Sequence, residues 1–133
     1  MTSVNGVPAT RRVVLIDDDA NYRRLLRYYL QDAGYEVLEG QDGTDALSMV
    51  GKDRPHLLVV DIVMPIMEGL ETIRLLRRQG TAAKILAISG VEKSHQYLAL
   101  AVKFGADAAV DKSRPVADLM DTINALISPV GTA

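Results

Sequence analysis

The stretch Val13–Leu26, VVLIDDDANYRRLL, joins two kinds of structure at a cluster of three aspartates. Its first four residues are apolar and mostly β-branched, which is typical of a strand buried on both faces of a parallel sheet. From Ala20 onward, apolar residues recur at intervals of three and four, the period of an amphipathic helix. Like charges ~5 Å apart repel each other by roughly 3 kcal/mol at an effective dielectric constant of ~20. Asp17, Asp18 and Asp19 therefore require a reason to lie together where a strand ends.

The same succession of strand and helix recurs along the chain. Apolar or alternating runs predict five strands, at residues 13–16, 35–39, 56–61, 83–89 and 107–111. Helical spacing predicts five helices, at residues 20–33, 43–52, 68–79, 93–104 and 115–127. Gly34, Gly80 and Gly105 are expected to end three helices. Thr44 and Asp19 are expected to cap the start of two. Strands alternating with helices predict an α/β fold, an open and mostly parallel sheet with helices on both faces.

Composition excludes several classes of protein. The chain has 133 residues, of which 48% are hydrophobic and 24% charged, values that suit one domain with one core. It has no cysteine, which excludes disulfides and thiolate metal sites. The formal net charge of −2 gives no general attraction to nucleic acid or anionic membrane. Because no apolar run approaches a membrane span and the N-terminus lacks an apolar signal stretch, a cytoplasmic location is expected.

Polar and ionisable side chains follow four of the five predicted strands. In open parallel sheets, ligands bind at the carboxyl ends of the strands. The side chains predicted at that edge are Asp17, Asp18, Asp61, Ser89 and Lys112. Carboxylates can lie together there if a divalent cation binds between them, and Mg²⁺ prefers oxygen ligands of this kind. Without the cation, Asp17 and Asp18 are expected to raise each other's pKa.

In these motifs the chain resembles the receiver domains of response regulators, the phosphoacceptor modules of two-component signalling. The resemblance covers about residues 12–127 and rests on LIDDD (15–19), LLVVDIVMPIMEG (57–69), ILAISG (85–90) and FGADAAVDK (104–112). It implies a flavodoxin-like (βα)5 fold, a doubly wound parallel sheet with strand order 2-1-3-4-5. The predicted organisation is a flexible N-terminal arm at residues 1–11, the receiver domain at 12–128 and a short tail at 129–133.

The resemblance also implies a role for each strand-end residue. Asp61 would accept a phosphoryl group from a sensor histidine kinase or a histidine phosphotransfer protein. Mg²⁺ or Mn²⁺ would be held by Asp17, Asp18, Asp61 and the backbone carbonyl of Val63. Ser89 and Lys112 would bind the phosphoryl group and, with Asp61, catalyse the transfer. The implied function is a phosphorylation-controlled signalling module, not an enzyme beyond its own aspartyl phosphorylation and dephosphorylation.

Two positions depart from the family pattern. Ser113, not proline, follows Lys112, and a cis bond to a non-proline residue costs about 3 kcal/mol, so the residues leave the geometry of this peptide open. Ala109 stands where the family often has an aromatic residue that turns inward on activation. The expected output surface is the face formed by the fourth helix, the fifth strand and the fifth helix. Phosphorylation is expected to change partner docking or homodimer formation through that face. The fourth helix carries more apolar residues than one buried stripe requires.

Other functions are open to the same residues. A receiver-like interaction or dimerisation module with little or no phosphorylation-dependent switching would have the same fold. A phosphatase of the haloacid-dehalogenase type also uses a strand-end aspartate, but it needs a second aspartate where this chain has Val63. Neither glycine-rich nucleotide-binding pattern occurs.

Basic and histidine side chains away from the strand ends are interpreted as solvated surface residues. They are Arg23, Arg24, Arg27, His56, Arg77, Arg78 and His95. No DNA-binding motif accompanies the arginines, so neither direct nucleic-acid binding nor membrane binding is expected.

Overall fold

Five strands form one parallel sheet in the order β2-β1-β3-β4-β5. The strands are β1 (Arg12–Ile16), β2 (Glu36–Gly40), β3 (Leu57–Asp61), β4 (Lys84–Ser89) and β5 (Ala108–Asp111). The helices are α1 (Ala20–Asp32), α2 (Gly43–Asp53), α3 (Ile66–Arg78), α4 (Ser94–Phe104) and α5 (Val116–Leu126). This arrangement confirms the predicted doubly wound, flavodoxin-like (βα)5 fold and its strand order. The computed structural model describes residues 10–62, 66–90 and 94–128, so most of the predicted arm and all of the predicted tail lie outside the described residues.

The core consists of two apolar layers, one on each face of the sheet. Val14 and Ile16 of β1 pack into the layer beneath α2, α3 and α4, while Val13 and Leu15 pack into the layer beneath α1 and α5. All five residues of β3 are buried, because this strand lies at the centre of the sheet with helices on both sides. Continuous burial explains why the inner strands read as unbroken apolar runs.

Side chains at the helix starts decide where α1 and α2 begin. Asp19 accepts hydrogen bonds from the backbone N–H groups of Asn21 and Tyr22, which confirms it as the cap of α1. The predicted cap of α2, Thr44, is wrong. Asp42 has the extended backbone that a cap requires, and its carboxylate accepts a hydrogen bond from the Asp45 N–H at 3.0 Å. The helix therefore begins one residue before Thr44.

Two side chains predicted to be solvated instead join distant elements. The Arg77 Nε donates to the carbonyl of Gly105 at 2.6 Å, and its guanidinium pairs with Asp107 at 2.5 Å, which fastens α3 to the turn before β5. His56 Nδ1 accepts a hydrogen bond from the backbone N–H of Arg12 at 2.9 Å. Burial, together with nearby arginines, lowers the pKa of His56, so the ring stays neutral and able to accept this hydrogen bond.

Candidate functional site

The predicted strand-end side chains meet at one edge of the sheet. Ile16 of β1 pairs with Val60 of β3, so Asp17 and Asp61 follow side by side. Carboxylate oxygens of Asp17, Asp18 and Asp61 lie within 4.8 Å of one another. Ser89 ends β4 at the same edge, and Lys112 follows β5. Val63, a predicted metal ligand through its carbonyl, lies outside the described residues.

The consecutive aspartates occupy three different environments. Asp17 is 2% exposed, and one of its carboxylate oxygens accepts a hydrogen bond from the Asp19 N–H at 2.9 Å. Asp18 is exposed to solvent at the mouth of the site. Asp19 turns away and caps α1. Asp17 and Asp18 thus face the site while Asp19 has a local structural role, which accounts for three like charges at one strand end.

Lys112 supplies the counter-charge for the buried carboxylates. Its Nζ lies 2.5 Å from Asp17 Oδ2 and 2.8 Å from Asp61 Oδ2. Burial alone would lower the pKa of Lys112, but the hydrogen bonds to both carboxylates outweigh burial and raise that pKa. The ammonium therefore remains charged near neutral pH and neutralises part of the acidic cluster.

Asp17 has an unusually weak acidity for an aspartate. Burial raises its pKa to about 6, and the charge of Asp61 adds to this effect, while the hydrogen bond from Lys112 and the backbone N–H of Asp19 oppose it. A raised pKa for Asp17 was expected from the sequence, but from repulsion by the neighbouring Asp18. The main cause is instead the burial of Asp17. The ionised Asp17 is thus destabilising in the metal-free protein.

Replacing Asp17 by asparagine should stabilise the metal-free protein at neutral pH. Because the pKa of Asp17 is higher in the folded than in the unfolded chain, its destabilising effect develops as pH rises from about 4 to about 6 and is complete above that range. We expect a gain of about 1–2 kcal/mol at pH 7.5, after allowance for solvent screening, and almost none at pH 4. Urea unfolding at both pH values, with EDTA present, measures the difference. Equal gains at the two pH values would contradict the assignment.

Ser89 presents a buried hydroxyl to the site edge. The side chain is completely buried, and its Oγ has no hydrogen-bond partner among the described residues. A buried hydroxyl without a partner costs about 1–3 kcal/mol, which a newly arriving acceptor would recover.

Comparison with known proteins identifies the family to which this fold belongs. Residues 13–124 match the model of the response regulator receiver domain. The chain belongs to this family. Response regulator MprA of Mycobacterium leprae (strain TN) is 37% identical over 116 residues, which cover 87% of this chain and 50% of that protein. MprA of Mycobacterium tuberculosis (strain ATCC 25618 / H37Rv) is 35% identical over the same length. The receiver domain thus spans about half the length of the curated relatives it matches.

Solved receiver domains share the whole architecture. The signal receiver domain of a response regulator from Bermanella marisrubri has a TM-score of 0.79 at 30% identity, covering 89% of this chain and 98% of that one. The chemotaxis response regulator CheY4 of Vibrio cholerae has a TM-score of 0.77 at 28% identity, covering 90% and 100%. Membership of this family favours phosphorylation-controlled signalling over the non-switching interaction module. Within the described parts of the receiver, none of the helices is long and apolar enough to cross a bilayer.

The turn after β5 is built without the family's proline. The peptide bonds of the described residues are all trans, including the one that joins Lys112 to Ser113. Asp111 organises the turn instead, accepting hydrogen bonds from the Ser113 N–H at its carboxylate and from the Arg114 N–H at its carbonyl. The Lys112 N–H donates to the carbonyl of Ser89 at 2.9 Å, which ties this turn to the end of β4.

Arginines of α1 also support this receiver site. The Arg23 guanidinium donates to the carbonyl of Asp17 at 2.5 Å and to Glu39 at 3.2 Å, and Arg27 pairs with Glu39 at 2.6 Å. The expectation that Arg23 and Arg27 are simply solvated is therefore wrong. Their shared partner, Glu39 of β2, depends on how α1 packs over the sheet.

Tyr22 was missed as a site residue. The recurrence of apolar residues from Ala20 onward includes Tyr22 in the apolar stripe of α1, and Tyr22 does pack on the layer beneath α1 and α5. Its ring centroid lies 4.5 Å from Lys112 Nζ, however, so the aromatic face also borders the acidic cluster. The one signal in the sequence was its position three residues after the cap, Asp19, which places Tyr22 in the first turn of α1, close to the carboxyl end of β1.

Proposed function

We propose that this receiver domain, residues 12–128, accepts a phosphoryl group on Asp61 from a phosphohistidine of a sensor histidine kinase or a histidine phosphotransfer protein. The observation that carries the proposal is the pairing of a 4%-exposed Asp61 with the Lys112 ammonium at 2.8 Å, at the carboxyl edge of the central strand. The Lys112 ammonium neutralises the charge of this carboxylate, and the carboxylate lies at the edge of the sheet where ligands bind in folds of this class.

The chemistry needs little beyond placement and charge. A carboxylate oxygen of Asp61 forms a bond to phosphorus while the N–P bond of phosphohistidine breaks, and its electron pair returns to the imidazole nitrogen. Lys112 neutralises charge on the phosphoryl oxygens, and the buried Ser89 hydroxyl donates to one of them. Phosphoryl transfer of this kind is accelerated chiefly by positioning and electrostatic stabilisation.

We further propose that Mg²⁺, or Mn²⁺, binds at the acidic cluster. Asp17, Asp18 and Asp61 provide hard oxygen ligands within 4.8 Å of one another, and Asp18 is exposed to the solvent from which the ion arrives. This donor set fits an ion that takes one or two carboxylates and keeps several waters. The carbonyl of Val63 would complete the protein ligands. When bound, the ion neutralises negative charge on the phosphoryl group.

The test is direct phosphorylation of the purified chain. With Mg²⁺ and a small phosphodonor such as acetyl phosphate, the mass should rise by one phosphoryl group, and the product should be stable in acid and labile in base. Peptide mapping after borohydride reduction should locate the label at residue 61. A folded domain that takes up no phosphoryl group from either a small donor or a phosphohistidine protein would refute the proposal.

We propose that the output surface is the face formed by α4, β5 and α5, through which phosphorylation changes partner docking or homodimer formation. On α4, Leu100 and Val102 are 39% and 49% exposed, while Ala101 between them is completely buried. Ala109 of β5 and Tyr97 of α4 pack on the same apolar layer, so β5 and α4 are joined at this face. Exposed apolar side chains flanking a buried one suit a contact with another protein.

Addition of a beryllium fluoride phosphoryl mimic should increase the fraction of dimer, or slow amide exchange in residues 94–104. Leu100→Glu should remove the effect, because it puts a charge in the proposed contact. Leu25→Glu is the matched control, since Leu25 is 43% exposed on α1, away from this face. Sedimentation velocity and hydrogen exchange measure both quantities. If the mimic changes neither in the wild type, this surface is not the output.

A further inference from the structure

The side chain of Lys112 reaches from the edge of the sheet to its centre. It follows β5, the edge strand, yet its ammonium lies at Asp61 of β3 and Asp17 of β1. Strands are spaced ~4.8 Å apart, so the side chain extends across β4 to reach its partners. A lysine side chain is flexible and rich in rotamers, and its ammonium is strongly hydrated. Besides the two carboxylates, two further contacts act on the extended side chain, one along its stem and one at its charged end.

The stem of Lys112 lies along a glycine. A Cβ added at Gly90 would stand 3.2 Å from Lys112 Cδ, which is closer than side chains normally pack, and 3.4 Å from Lys112 Cβ, which is an ordinary contact. Gly90 therefore leaves room for the aliphatic stem to pass directly over the backbone. Together with the backbone hydrogen bond from Lys112 to Ser89, this contact guides the first part of the side chain.

The charged end of Lys112 lies over the ring of Tyr22. The distance from Nζ to the ring centroid is 4.5 Å, well inside the range of a cation–π contact. The Lys112 side chain is only 14% exposed, so the contact is made in a partly desolvated setting where such attraction is stronger. The ammonium is thus bounded by two carboxylates and an aromatic face.

Tyr22 is itself held firmly in place. Its N–H donates to the cap, Asp19, at 3.2 Å, which fixes the first turn of α1. The ring packs on the apolar layer shared by α1, α5 and the sheet. A ring anchored in this way can hold a flexible ammonium without moving itself.

We propose that Tyr22 is a positioning residue for phosphoryl transfer, holding the Lys112 ammonium beside Asp61 through the face of its ring. The proposal rests on the proposed function of Asp61 and adds to it the residue that keeps the Lys112 ammonium beside Asp61. The ring face makes the contact, so phenylalanine can replace tyrosine, whereas an aliphatic side chain cannot.

The rate of phosphorylation by a small donor tests this role. Tyr22→Leu should lower the initial rate about 3- to 10-fold, and Tyr22→Phe should restore it to within about 2-fold of wild type. Tyr28→Leu is the matched control, because Tyr28 lies on the same helix and is 65% exposed. In a Lys112→Met background, Tyr22→Leu should cause no further loss, because the ring acts only through the ammonium.

A second measurement does not depend on phosphorylation. In NMR spectra of the unmodified chain, the Lys112 Hε and Nζ resonances should carry a ring-current shift in the wild type and in Tyr22→Phe, and lose it in Tyr22→Leu, while the amide spectrum shows an intact fold. Unchanged Lys112 resonances in Tyr22→Leu would overturn the proposal, as would an unchanged phosphorylation rate in that variant. If the wild type itself takes up no phosphoryl group, the proposed function fails, and the NMR comparison alone decides whether Tyr22 holds Lys112.

Discussion

Asp61→Asn should lower phosphoryl uptake at least about 100-fold, because it removes the only proposed nucleophile while preserving the size of the side chain. Asparagine cannot supply the negatively charged oxygen that attacks phosphorus. The fold should survive, since Lys112 retains Asp17 as a partner at 2.5 Å. The measurement is incorporation of phosphate from acetyl phosphate at saturating Mg²⁺, followed by intact-mass spectrometry.

Asp121→Asn is the control for this experiment, because Asp121 is exposed on α5 and lies apart from the acidic cluster. It should incorporate phosphate as the wild type does. Uptake by Asp61→Asn at the wild-type rate would mean that another side chain is the acceptor. In that case the buried pairing of Asp61 with Lys112 would be structural only.

Mg²⁺ should raise the melting temperature of the wild type, and Asp18→Asn should remove most of that increase. A ligand at about ten times its dissociation constant stabilises the folded state by about 1.4 kcal/mol, which raises the melting temperature of a domain of this size by about 3–6 °C. Asp18 is chosen because it is exposed, so its replacement should leave the packing of the site intact. Phosphorylation of the variant should fall in parallel with its loss of metal binding.

Asp32→Asn is the matched control for metal binding, because Asp32 is an exposed aspartate at the C-terminal end of α1, whereas Asp18 precedes the start of that helix. Thermal melts with EDTA or with millimolar Mg²⁺ give all the comparisons in one series. Equal shifts in Asp18→Asn and the wild type would place the ion elsewhere. An unchanged melting temperature in the wild type would argue against a metal site at this edge.

Features that depend on neighbouring residues could be predicted from the sequence. Continuous apolar runs and intervals of three and four determined the alternating strands and helices, since burial on a strand or helix follows local periodicity. The strand ends then placed Asp17, Asp61, Ser89 and Lys112 at one edge, because parallel strands all present their carboxyl ends on the same side. The strand order came from the resemblance to receiver domains.

Only the tertiary structure decided how these residues interact. The bridge from Lys112 to Asp17 and Asp61 joins the ends of three strands far apart in the chain, and the contact with Tyr22 depends on how α1 packs beside them. The raised pKa of Asp17 comes first from burial, which no pattern of adjacent charges reveals. Arg77 likewise reads as a surface arginine until the fold brings Gly105 and Asp107 to it. The physical reason is that periodicity records which face of an element is buried, whereas side-chain partners are determined by how separately formed elements pack together.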